Sequence, residues 1–140
     1  MGRVLGVDLG SRRIGLALSD PTGRVATPHA VIERSGDPVV DRRKILAHAR
    51  EAGASRVVVG LPLSLSGDTG PAARAVLEEV AALRALAGEE VTVETHDERL
   101  TTVIAEQGMR EARVPHRTRR RTVDSAAAAV MLQSYLETPS

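Results

Sequence analysis

Val57, Val58 and Val59 stand in succession, in a chain whose other apolar residues mostly alternate or recur at helical spacing. A β-strand turns successive side chains to opposite faces, so three consecutive valines put branched aliphatics on both sides of a sheet at once. Water suits neither side. The segment predicts a strand in the middle of a sheet with helices on both faces, which makes the chain an α/β protein.

The neighbouring segments fit that frame. Residues 3–9 (RVLGVDL) and 13–19 (RIGLALS) read as strands joined by the tight turn Gly10-Ser11-Arg12. Asp20-Pro21-Thr22-Gly23 is a strong turn signal before a third strand near 24–33. Short turns between three strands make an antiparallel meander. Asp37-Pro38 then opens a helix with a capping side chain and a proline in its first turn, and Gly53 closes it. After the valine strand, Gly60 to Gly70 form a Gly/Ser/Pro-rich loop. Pro71 starts a second helix with Val76, Val80, Leu83 and Ala87 along one face, ending at Gly88. Residues 91–96 (VTVETH) alternate as a strand, a helix is expected from about Leu100, and a last helix over roughly 121–137. The order is βββ-α-β-α-β-α-α: a five-stranded mixed sheet, three strands antiparallel and two parallel, flanked by helices.

With 140 residues and no linker or repeat, the expectation is a single domain spanning 1–140. Cysteine is absent, which excludes disulfides, thiolate metal sites and cysteine nucleophiles and fits a reducing cytoplasm. No apolar run approaches the roughly 18 residues of a membrane span, and no signal peptide is read at the N-terminus. The net charge of +1 says little, but its distribution is uneven: Lys44 is the lone lysine, and Arg110, Arg113, Arg117, Arg119, Arg120 and Arg121 crowd one stretch. Arginine binds phosphate through a planar, two-pronged fork that lysine lacks. A GC-rich genome explains the arginine bias but not the clustering. Tyr135 is the single aromatic, so a bound nucleic acid is expected to be held by its backbone and not by stacked bases.

Three acids fall at telling places. Asp8 ends the first strand, and Asp97-Glu98 follow the 91–96 strand, again at its C-terminal end, where ligands collect in α/β sheets. With those two strands parallel and side by side, Asp8 and Glu98 come within reach of one metal ion. Asp124 shares a helical stripe with Ala128, Met131 and Tyr135, so it points toward the sheet, and Ala126 to Ala129 let that helix lie close. Converging carboxylates repel one another unless a cation neutralises them, and hard oxygen donors without cysteine favour Mg²⁺ or Mn²⁺ over zinc. Each acid also has a local alternative: Asp8 as a turn residue, Asp97 as the cap of the next helix, Asp124 as a first-turn acid facing the helix dipole.

Four strings resemble the YqgF family, also called RuvX: GVDLGSRRIGLALSD at 6–20, VVVGLPLSLSG at 57–67, DERLTT at 97–102 and VDSAAAAVMLQSYL at 123–136. They occur in the family's order and cover nearly the whole chain. DERLTT beside GLP is the most specific, whereas GxDxG is shared with actin-like ATPases. The resemblance implies a ribonuclease H-like fold and metal-binding acids at Asp8, Glu98 and Asp124, singling out Glu98 over Asp97, which spacing alone leaves open. It also implies a nuclease processing the 5′ end of pre-16S ribosomal RNA, or a resolvase of Holliday junctions. The family's GLP loop commonly carries an asparagine near the position of Ser64 in this chain.

The resulting expectation is a metal-dependent nuclease with Asp8, Glu98 and Asp124 as catalytic metal ligands. Arg12, Arg117, Arg119, Arg120 and Arg121 are assigned to substrate phosphates, and Arg99 to orienting Glu98. His96 is read as a proton shuttle or a metal ligand or, more commonly for a lone strand-end histidine, as a hydrogen-bonded structural residue. RNA is favoured over DNA and a monomer over a homodimer, because every helical stripe is committed to covering the sheet. Two other classes compete. An actin-like ATPase needs two such domains around one nucleotide and would turn over ATP; a non-catalytic adaptor would bind without manganese-dependent cleavage.

Overall fold

The computed structural model describes residues 2–63, 66–97 and 116–138, with backbone alone for 116–123. β1 (Arg3–Leu9), β2 (Arg13–Ser19) and β3 (Ala26–Glu33) form the expected antiparallel meander. β4 (Ala54–Leu61) runs parallel to β1, and β5 (Thr92–Asp97) parallel to β4, giving the order β3-β2-β1-β4-β5. One expectation is overturned here. β1 and β5 are parallel but not side by side, because β4 lies between them. The meander occupies one flank of β1, so each helical crossover must add its strand on the other flank, first β4 and then β5.

Helix α1 (Pro38–Glu51) begins as read from the sequence: the Asp37 side chain accepts a bond from the Val39 N–H at 3.0 Å, and Pro38 occupies the first turn. Gly53, at φ 71°, follows its end. Helix α2 (Pro71–Ala87) buries Val76, Val80, Leu83 and Ala87, the stripe predicted from periodicity. α1 and α2 cover one face of the sheet, packing Ile45, Leu46, Val80 and Leu83 against Leu5, Val7, Leu16, Val57 and Val59. Helix α3 (His116–Glu137) covers the other face, where Ala128, Met131 and Leu132 meet Val4, Ala17 and Val58. The valine triplet is thus divided between two cores, with none of the three exposed.

α3 starts at His116, five residues before the predicted boundary. Arginine is a good helix former, so Arg117, Arg119 and Arg120 join the helix they were expected to precede. The helix anticipated near Leu100 lies outside the described residues.

α3 sits unusually near the strands at two glycines. A Cβ on Gly6 would lie 2.9 Å from Leu132 Cβ, and one on Gly15 would lie 2.0 Å from the Asp124 carbonyl oxygen. The second distance is impossible for any side chain. Gly15 is therefore required by space, and it fixes the height of Asp124 above the sheet.

Candidate active site

Asp8 is the penultimate residue of β1 and pairs in register with Gly15 of β2. Residues paired across two strands share a face, so Asp8 lies on the face that α3 covers, beside the glycine that touches Asp124. The two carboxylate-bearing residues flank one glycine, although they come from opposite ends of the chain. Extending the β1–β4 register by one residue sets Asp8 level with Gly60, so glycines stand on both sides of it.

Asp124 occupies the third turn of α3, not the first, which removes the helix-dipole alternative. Its Oδ2 accepts a bond from Arg13 Nε at 2.8 Å, with both side chains about a quarter exposed. This bond raises the Arg13 pKa, partly opposed by the guanidinium's own desolvation. Arg13 was missed in the sequence reading. Its signal was faint: Arg13 and Gly15 alternate along β2 on one face, but only the docked helix shows what that face meets.

On β5, His96 pairs with Gly60 and Asp97 with Leu61. Leu61 packs against the α1–α2 core, so Asp97 falls on the face opposite Asp8 and Asp124. His96 faces α3: its Nε2 lies 3.0 Å from Ser134 Oγ, and its ring meets Tyr135 edge-on, 5.7 Å between centroids. Burial lowers its pKa. The Tyr135 hydroxyl donates to Glu94 at 2.5 Å and accepts from Arg56 at 2.7 Å. His96 is thus tied into the polar contacts that seat α3.

Glu98 and Arg99 lie outside the described residues, as do Arg110, Arg113 and Ser64. Arg117, Arg119, Arg120 and Arg121 fall in the first turns of α3, three to seven positions before Asp124. Arg12 is exposed in the β1–β2 turn, directly beyond the strand that carries Asp8. Among the described residues no three metal-binding side chains come together. The donor chemistry nonetheless suits a hard divalent cation, since Asp8 and Asp124 bring carboxylates to one face of the sheet on either side of Gly15.

The sequence profile of RuvX, described as Holliday junction resolvase, matches residues 2–138. The chain belongs to the RuvX (YqgF) family. A relative from Roseiflexus sp. (strain RS-1), provisionally named a pre-16S rRNA nuclease, is 41% identical over 136 residues, 97% of this chain and 94% of that protein. One from Desulforudis audaxviator (strain MP104C), with the same provisional name, is 44% identical over 134 residues, 96% and 93% of the two chains. Among solved structures, Thermus thermophilus RuvC in complex with a Holliday junction substrate superposes with a TM-score of 0.56 at 17% identity, covering 99% of this chain and 98% of that one. At that identity the likeness speaks to architecture, and the architecture of this RuvX member is ribonuclease H-like.

Proposed function

We propose that this RuvX-family chain is a metal-dependent nuclease that hydrolyses phosphodiester bonds of RNA, trimming the 5′ end of pre-16S ribosomal RNA in the cytoplasm as a single-domain monomer. The observation that carries the reading is the convergence of Asp8 and Asp124 on Gly15, at the C-terminal end of β1 and beside the start of β2. Asp8, Glu98 and Asp124 would hold Mg²⁺ or Mn²⁺, which when bound supplies Lewis-acid polarisation of the phosphodiester and acidification of a water.

The chain's own residues do the rest. Gly15 lets the backbone of α3 descend until Asp124 stands beside Asp8. Arg13 fixes one oxygen of Asp124 and so orients its carboxylate. Arg12, Arg117, Arg119, Arg120 and Arg121 draw the polyanion toward the acids, and Arg99 orients Glu98. With Tyr135 committed to Glu94 and Arg56, no aromatic stacking platform competes with backbone contacts.

A second reading, resolution of branched DNA, is favoured by the family's description as a Holliday junction resolvase. It requires two active sites at fixed separation and hence a two-fold dimer. A cleavage panel of single-stranded RNA, duplexes and four-way junctions, with Mg²⁺ and Mn²⁺ compared and sedimentation run at micromolar concentration, separates the two. Cleavage of single-stranded RNA by a monomer is the expected result; symmetric paired cuts by a stable dimer would transfer the assignment to DNA junctions.

A further inference from the structure

A hollow of about 320 Å³ opens on the other side of the β1–β2 turn from Asp124. Its walls are the small or aliphatic side chains of Leu9, Pro62, Ala72, Ala75 and Val76, and its polar members include Arg34 and Glu79. Arg34 is built into the turn: its backbone N–H donates to the Arg12 carbonyl at 2.9 Å, and its Nε donates to the Gly10 carbonyl at 2.7 Å. Its guanidinium is thus a fixed, planar cation on the wall of the hollow. Glu79 is already held by Arg42 through two bonds of 2.7 and 3.0 Å, so its charge is compensated. The hollow begins at Leu9, the residue after Asp8.

From this arrangement we infer that the hollow receives one unstacked nucleobase of the substrate strand, from a nucleotide neighbouring the phosphate at Asp8. The inference rests on the nuclease reading and adds a base contact to a surface otherwise suited to backbone. A base has two apolar faces and a polar edge; the hollow offers apolar walls and one planar donor group. Unpaired bases in protein complexes lie against arginine planes as well as aromatic rings, and this chain has no free aromatic to offer. The volume falls at the small end of the range for ligand pockets, suited to one base with part of its sugar. A strand passing over the ends of β1 and β4 would meet Asp8 on one face of the sheet and the hollow on the other.

The test scans a fluorescent single-stranded RNA with one abasic site at each position in turn, bound by the Asp8→Asn protein so that it is not cut. Ala75 is exposed on α2 and leucine is a good helix former, so Ala75→Leu fills the hollow without disturbing the core. One abasic position should weaken binding roughly tenfold, the scale of a single stacked base. In the Ala75→Leu background that penalty should fall below about twofold, while affinity for the abasic strand stays within about twofold. Tight binding with a flat scan would overturn the inference and leave the nuclease reading intact, as would an undiminished penalty in Ala75→Leu. Equal competition by a free nucleoside monophosphate would make the hollow a small-molecule site and overturn it as well. Failure of the protein to bind any strand would overturn both readings together.

Discussion

The two faces of the sheet are covered in different ways. On the α1–α2 face, large aliphatics interdigitate: Ile45, Leu46, Val80 and Leu83 fill the space above Leu5, Val7, Leu16, Val57 and Val59. On the α3 face a smaller apolar cluster of Ala128, Met131 and Leu132 is joined by helix backbone that comes down onto glycine and by several polar bonds. Gln133 accepts from the Ala26 N–H at 2.8 Å and donates to the Arg24 carbonyl at 2.9 Å, while Arg13 holds Asp124 and Ser134 meets His96. Aliphatic packing is non-directional and tolerates small slips; hydrogen bonds and a glycine contact do not. The face that carries the candidate chemistry is thus the one whose helix is held at a defined height and register. The other face supplies most of the core.

The acids offer the most severe test of that division. Asp8→Asn, Glu98→Gln and Asp124→Asn should each abolish hydrolysis while keeping the fold, because each removes a ligand charge with little change of shape. Full activity of any one under saturating Mn²⁺ removes that residue from the site. Asp124→Asn also weakens the bond with Arg13, a pair open enough to water that its contribution to stability is small. Its melting temperature without metal should fall slightly; a rise would mean that repulsion among the acids outweighs the pair.

Next in size is a matched pair of packing variants. Leu83→Ala on the aliphatic face should cost about 2–5 kcal/mol in chemical denaturation, with activity per folded molecule retained. Gly15→Ala should cost about 1–3 kcal/mol or more and also lose activity in the molecules that remain folded, since α3 must rise to admit the methyl group. Equal specific activity in the two variants would erase the distinction between the faces.

A smaller effect is expected from replacing Arg117, Arg119, Arg120 and Arg121 with alanine. Substrate affinity should fall and its salt dependence flatten, by about 0.7 in log–log slope for each phosphate of a single strand that the variant no longer neutralises. Turnover of bound substrate should change less. An unchanged slope would make these arginines bystanders.

The smallest effect concerns pH and belongs to the α1–α2 face. Arg42 lowers the pKa of Glu79 below its ordinary value of 4.5, working against a smaller desolvation effect that raises it. A depressed carboxylate contributes stability that is present above the unfolded-state value and lost as pH falls through the folded-state one. Glu79→Gln should therefore shrink the loss of stability on acidification below about pH 4.5. An acid limb identical to that of the unaltered protein would mean that the pair contributes nothing.

Much of this architecture is legible in local pattern. The valine triplet announces a strand between two cores, Asp37-Pro38 and Pro71 mark helix starts, and the Val76–Val80–Leu83–Ala87 stripe faces the sheet as its spacing requires. Asp8 at a strand end and Asp124 on an apolar stripe are equally visible. The start of α3 at His116 is less so: Pro115 stands before it in the sequence, but the arginines that follow carry no apolar periodicity. Asp97 and Glu98 cannot be told apart by spacing; the β4–β5 register turns Asp97 toward Leu61 and away from Asp8.

What the amino-acid sequence determined by itself is the set of elements and the ends on which the acids sit, because strand and helix periods act over a few residues. Tertiary structure decided which elements are neighbours. The insertion of β4 between β1 and β5 follows from crossover geometry, which no window of sequence contains. The bond from Arg13 to Asp124 spans 111 residues, and Gly15 becomes indispensable only when a helix carbonyl descends to within 2.0 Å of where its Cβ would be. Contacts of that kind depend on distance through space, and only the packed sheet and helix set it.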